Sequence, residues 1–283
     1  MANFHEKPNH FIKEITIKVL DLERSIQFYT DFIGLSILEK NKTSVVLTAD
    51  GKIPLLRIIQ PAEVTPKQKR TTGLYHFAIL LPSREALSSF LNHLISVRYP
   101  FGSADHIVSE AIYIDDPDGN GIEIYYDRYA DDWKWHVDQV EMATLPLKMD
   151  ELIGVSQKKW TKVPKETMMG HIHLHVKDLD ETVKFYTEGL GYNIVAEYPG
   201  AVFLSTGGYH HHIGMSIWNG AGAVKPSDNS VGMDNYVIDF ADDNARNEAI
   251  QRLQKLSAET TVVKVEDNYV VYDPSGNKII LQI

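Results

Sequence analysis

Residues 20–37, LDLERSIQFYTDFIGLSI, have a counterpart in residues 177–194, KDLDETVKFYTEGLGYNI, at an offset of 157 positions. The same offset carries Asp116, Pro117, Gly119 and Asn120 of DPDGN onto Asp273, Pro274, Gly276 and Asn277 of DPSGN. A chain that repeats itself at this spacing is built from two units of one design. Each unit divides again. ITIKV (15–19) alternates like a strand, and DLERSIQFYTDFIG reads as a helix closed by Gly34. The strand-like runs LSILEK, SVVLTA and LLRII follow. This β-α-β-β-β order recurs from YHFAILL (75–81) to GIEIYY, from HIHLHV (171–176) to GMSIW, and from NYVIDF (235–240) to KIILQI. The reading is an α+β protein of four βαβββ modules, near 11–60, 73–127, 170–219 and 232–283. Residues 8–127 and 169–283 form two domains. Residues 128–168, with Trp133, Trp135 and Trp160, read as a packed connector.

Composition excludes several chemistries. The 283 residues are 43% hydrophobic and 23% charged, ordinary for a globular chain with a sizeable core. A formal net charge of -10 argues against a nucleic-acid or anionic-membrane surface. With no cysteine, disulfides, thiolate nucleophiles and Cys-ligated metals are ruled out. No apolar run approaches the roughly 18 residues of a membrane span, so a cytoplasmic location is the expectation. The oligomeric state stays open, a homo-oligomer included.

The βαβββ module, the helix pattern DLxxSxxFYxxxLG and the strand DPDGNGIE together resemble the vicinal oxygen chelate superfamily of glyoxalases, fosfomycin-resistance proteins and type I extradiol dioxygenases. The resemblance covers nearly the whole chain apart from the connector. Four modules with GHIHLHV and GLYHFAILL are most similar to the catechol 2,3-dioxygenase branch. It implies U-shaped mixed sheets, each formed by two modules, with one divalent metal held by first and last strands.

Carried over residue by residue, the resemblance places ligands in two modules only. Module 2 offers His76 and Glu123, and module 3 offers His171 and the histidine run at 210–212. Modules 1 and 4 have Glu14 and Ile280 at the corresponding positions. Ring-cleaving dioxygenases pair modules 3 and 4 around the metal, whereas monomeric glyoxalases pair 1 with 4 and 2 with 3. The expectation here is the second pairing, with one site made of His76, His171 and Glu123. Two imidazoles and a carboxylate leave coordination positions open, a donor set suited to Fe(II), with Mn(II), Ni(II) and Zn(II) also compatible.

Three further residues match the dioxygenase pattern. HHIG (211–214) fits its His-x-(Val/Leu)-Ala motif, giving His211 the part of an acid/base beside the metal, since an ordinary imidazole titrates near neutral pH. His210 and His212 are expected to face away, by strand alternation. Tyr113 and His106 stand where that branch has a substrate-contacting tyrosine and histidine, although His106 requires a small deletion. Each residue alone also has a plain structural reading, as core histidine, strand packing or solvated strand entry. Read together, they imply an extradiol dioxygenase acting on a catechol or hydroquinone-type aromatic with O2. A glyoxalase-like isomerase or lyase, and a non-catalytic protein binding an aromatic ligand, are the alternatives.

Overall fold

The computed structural model describes residues 4–256 and 260–283. Module 1 comprises β1 (Phe11–Lys18), α1 (Leu22–Gln27), β2 (Ser36–Lys40), β3 (Ser44–Thr48) and β4 (Pro54–Ile59). Module 2 has β5 (Gly73–Leu80), α2 (Arg84–Val97), β6 (Gly102–Asp105), β7 (Ser109–Asp115) and β8 (Gly121–Asp127). The connector carries the short pair β9 (Trp135–His136) and β10 (Gln139–Val140), then α3 (Met149–Ile153). Module 3 contributes β11 (Met168–His175), α4 (Leu179–Lys184), β12 (Asn193–Tyr198), β13 (Ala201–Ser205) and β14 (Ile213–Ser216). Module 4 ends the chain with β15 (Gly232–Asp239), α5 (Asp243–Leu256), β16 (Val263–Val265), β17 (Asn268–Tyr272) and β18 (Lys278–Gln282).

Two eight-stranded mixed sheets result, in the orders β16-β17-β18-β15-β1-β4-β3-β2 and β12-β13-β14-β11-β5-β8-β7-β6. Within each module the first strand pairs parallel with the last, and two modules join where their first strands pair antiparallel, β1 with β15 and β5 with β11. Modules 1 and 4 therefore share one sheet, and modules 2 and 3 the other. Each half of the chain lends one module to each sheet.

The repeated motifs are partners of one another. Asp116 folds the DPDGN turn by accepting from the backbone N–H of Asp118 and Asn120, and its other oxygen accepts from the Tyr29 hydroxyl at 2.9 Å. Asp273 does the same with Ser275, Asn277 and, at 3.1 Å, Tyr186. The FY pair of one module thus ties to the DPxGN turn of the next, which explains why both motifs recur at one offset. Both helices pass at that pair into a π-helical turn, Phe28–Ile33 and Phe185–Gly189. In the connector, Trp133 and Trp160 are buried, and the Trp160 indole N–H donates to the Ile33 carbonyl at 3.0 Å. Trp135 is exposed.

Candidate functional site

The central strands of the second sheet face the same side with polar residues, against the usual rule for a buried strand. On β11, His171, His173 and His175 alternate with Ile172 and Leu174, and all are buried. His173 pairs across the sheet with His76 of β5, and His171 pairs with Ala78. On the other flank of β5, Ala78 pairs with Glu123 of β8. His171 and Glu123 thus stand on either side of one alanine. Beside His76 the register places Gly121, where a Cβ would meet the Tyr75 carbonyl oxygen at 2.3 Å, so only glycine fits.

The three candidate ligands converge. His76 Nε2 and His171 Nε2 each lie 3.1 Å from Glu123 Oε2. One donor atom from each residue lies within 4.8 Å of the others, the only such group among the described residues. Burial pushes the Glu123 carboxyl up, but the His171 and His76 imidazoles outweigh it and hold the group well below the usual carboxylate range. Burial likewise holds the His171 imidazole below its ordinary value. An anionic carboxylate beside an uncharged imidazole is the protonation state a metal requires. The set fits a divalent ion. Its counterpart in the first sheet does not, because the Glu14 carboxylate accepts from Arg57 at 3.0 Å and Ile280 offers no donor.

His211 lies against this cluster, its ring centroid 4.1 Å from that of His171. Burial, with His171 and His210 nearby, holds it well below the ordinary histidine value, so it rests as a neutral base. The alternation expected for the triplet does not apply, since residues 210–212 form a bend ahead of β14 rather than a strand. His212 turns away, accepting from the Thr206 N–H at Nδ1 and donating from Nε2 to the Phe4 carbonyl. His210 also stays out of the cavity lining and lies behind His211. Its Nδ1 lies 2.8 Å from His211 Nδ1.

Tyr113 and His106 form a pair. The Tyr113 hydroxyl lies 2.6 Å from His106 Nε2, and His106 Nδ1 lies 2.7 Å from the Ala143 carbonyl. The carbonyl only accepts, so Nδ1 carries the hydrogen and Nε2 accepts from the phenol. Both nitrogens of His106 are engaged, leaving Tyr113 as the member open to a ligand. Burial and the Glu123 carboxylate push the Tyr113 phenol well up, so it stays protonated.

All six residues line one cavity of about 620 Å³, walled by Tyr75, Tyr198, Pro199, Phe203, Trp218 and Met142. Glu123 is its single carboxylate, and none of its lining residues is lysine or arginine.

Residues 10–124 and 168–281 each match the sequence profile of the Glyoxalase/Bleomycin resistance protein/Dioxygenase superfamily. The chain belongs to this superfamily. It is 40% identical over 285 aligned residues, 99% of each chain, to Catechol-2,3-dioxygenase of Bacillus subtilis (strain 168). Biphenyl-2,3-diol 1,2-dioxygenase 3 of Rhodococcus globerulus is 25% identical over 127 residues, 43% of this chain and 63% of that one. Glyoxalase I of Zea mays shares the fold, with a TM-score of 0.59 at 15% identity over 96% of this chain and 92% of that one.

Within this superfamily fold, two groups of site residues escaped sequence reasoning. Asp127 and Tyr125 follow Glu123 at spacings of four and two on β8, so period-2 counting from Glu123 was a signal available for both. The aromatic wall of Tyr75, Phe203 and Trp218 comes from three separate segments, and nothing local announced it.

Proposed function

We propose that the protein is a metal-dependent extradiol dioxygenase that opens a catechol-type ring with O2, using one site in the sheet of modules 2 and 3. The observation carrying this reading is the convergence of His76, Glu123 and His171 at the floor of an aromatic-walled cavity that also presents His211 and Tyr113. The full-length likeness to a catechol-2,3-dioxygenase supports it. His76, His171 and Glu123 would hold the metal, Fe(II) by this reading, which supplies the Lewis-acid and redox chemistry joining diol to O2. The chain's own residues handle binding and protons. Neutral His211 accepts the proton of a substrate hydroxyl and later returns it. Tyr113, its hydrogen committed to His106, accepts from the second hydroxyl, and His106 acts through it. The aromatic wall stacks the ring and excludes water. A glyoxalase-type isomerase needs a second carboxylate, and the cavity has one.

The lining also narrows the substrate. Cations gather in the neighbouring groove, where Lys18, Lys67, Lys69 and Arg70 stand, and are absent from the cavity itself. A ring-borne carboxylate would lose hydration there without an ionic partner, a cost of at least about 2–3 kcal/mol or roughly 10²-fold in kcat/KM. Neutral catechols, including alkyl- and aryl-substituted ones, are the expected class. Oxygen uptake and appearance of a coloured ring-fission product, measured on Fe(II)-reconstituted protein across neutral and carboxylated catechols, test this. Absence of O2 uptake across the panel would overturn the activity, and faster turnover of the carboxylated members would overturn the substrate class.

A further inference from the structure

Behind His211 a chain of hydrogen bonds runs away from the cavity and ends on a carboxylate. His210, wholly buried, holds His211 Nδ1 through its own Nδ1 at 2.8 Å and holds Asp127 Oδ1 through Nε2 at 2.7 Å. The second carboxylate oxygen of Asp127 accepts from the Tyr209 hydroxyl at 2.8 Å, and the hydroxyls of Tyr209 and Tyr125 lie 2.7 Å apart. Rings of Tyr209 and Trp133 pack on His210, with centroids 4.1 and 5.2 Å away. Space for the Tyr125 hydroxyl exists only because residue 170 is glycine, whose Cβ would lie 1.9 Å from that oxygen. Four side chains, Asp127 and Tyr125 from β8, Trp133 from the connector and Tyr209 from the segment before β14, are therefore assembled around one histidine. None of them lines the cavity.

We propose that Asp127 and His210 are positioning residues that fix the tautomer of His211, keeping its Nε2 free of hydrogen. Two imidazole nitrogens 2.8 Å apart share one hydrogen, and geometry alone does not assign it. The far end of the chain does. A carboxylate only accepts, so His210 Nε2 carries a hydrogen and donates it to Asp127. A ring that carries its one hydrogen on Nε2 has a bare Nδ1, which can only accept. His211 must then donate from Nδ1, which leaves Nε2 as its basic nitrogen. Tyr209 spends its hydrogen on Asp127 and accepts from Tyr125, so one carboxylate sets the polarity of every bond in the chain. The logic is that of the Asp–His pair in serine proteases, with a second imidazole interposed. β8 thus contributes twice to the site: Glu123 to the metal cluster, and Asp127, four residues on, to the orientation of its neighbouring base.

This proposal rests on the dioxygenase reading for its kinetic consequence and on nothing but the chain for its tautomer. Long-range 1H–15N correlation spectra of the metal-free, full-length protein read the tautomer directly, with His211 assigned by signal loss in His211→Gln. The expected result is an Nδ1–H, Nε2-bare ring. Asp127→Asn lets an amide donate to His210 Nε2, which reverses the chain and protonates His211 Nε2. In that variant we expect kcat on catechol to fall at least 10²-fold, KM to change less than threefold, and iron content to stay at the wild-type value. An Nε2–H tautomer in the wild type overturns the proposal. So does an Asp127→Asn enzyme that keeps kcat within twofold or loses its iron. A protein that shows the expected tautomer but cleaves no catechol overturns the proposed function and upholds the tautomer assignment.

Discussion

Replacing Glu123 by glutamine tests the metal centre without changing its shape. The side chain is 2% exposed and sits 3.1 Å from both imidazole Nε2 atoms, so the substitution swaps one oxygen for an amide and deletes the cluster's only negative charge. At a metal concentration about 100 times the wild-type Kd, binding stabilises the native state by about 2.7 kcal/mol. A chain of this size gains about 2–4 °C in Tm per kcal/mol, so the metal should raise the wild-type Tm by about 5–10 °C. Altering an outer partner of a metal ligand costs about 10–100-fold in affinity, so loss of a ligand's charge is set at 100-fold or more. At the same metal concentration the variant then gains at most about 0.4 kcal/mol, roughly 1 °C. Differential scanning fluorimetry with Mn(II), or with Fe(II) under nitrogen, reads both shifts. Equal metal-induced shifts in the two proteins would refute the assignment of Glu123 as a ligand.

His211→Ala should retain iron at the wild-type stoichiometry while kcat falls roughly 10²–10⁴-fold; loss of metal from that variant would make His211 a ligand instead. Gly170→Ala drives a methyl into the Tyr125 hydroxyl, so urea unfolding should show a loss of about 1–3 kcal/mol, and an unchanged midpoint would contradict the packing there. Burial holds the imidazoles of His171, His173, His175, His211 and His212 below their ordinary value of 6.5, that of His175 at about 4. The unfolded chain therefore binds protons that the folded one refuses. Stability of the metal-free protein, full above about pH 6.5, should fall as the pH drops from there towards 4, by up to about 1.4 kcal/mol per pH unit for each ring; a flat profile in urea titrations between pH 7 and 5 would refute it.

Two repeats were enough to read the architecture, because the FY helix and the DPxGN turn are locally patterned and bind each other through Tyr29–Asp116 and Tyr186–Asp273. His76, Glu123 and His171 were legible for a related reason: a strand's period of two places a ligand at a set position in its module, and the sheet register does the rest. In the histidine triplet only His211 reaches the cavity, as expected, but residues 210–212 form a bend and not the strand from which that was argued. Once the chain leaves extended geometry, neighbours such as His210 and His211 can bond to each other, a contact that period-2 reasoning does not reveal. Nor did the ordinary histidine value carry over to His211, since burial depends on side chains contributed by distant segments. Asp127 went unread because its meaning depends on His210, 83 residues later.

Sharing each sheet between the two halves of the chain has a consequence for synthesis. β5–β8 and β11–β14, which make up the sheet bearing the site, all lie before residue 217, whereas β1 must wait for β15, whose pairing joins Phe11 to Asp239. During that interval an apolar strand, with Ile12, Ile15 and Ile17 all fully buried in the finished protein, has no permanent neighbour on one side. Unpaired apolar edges of this kind recruit other chains, and pairings of long sequence separation form slowly. The sheet with no catalytic assignment is thus the one that closes last on the growing polypeptide.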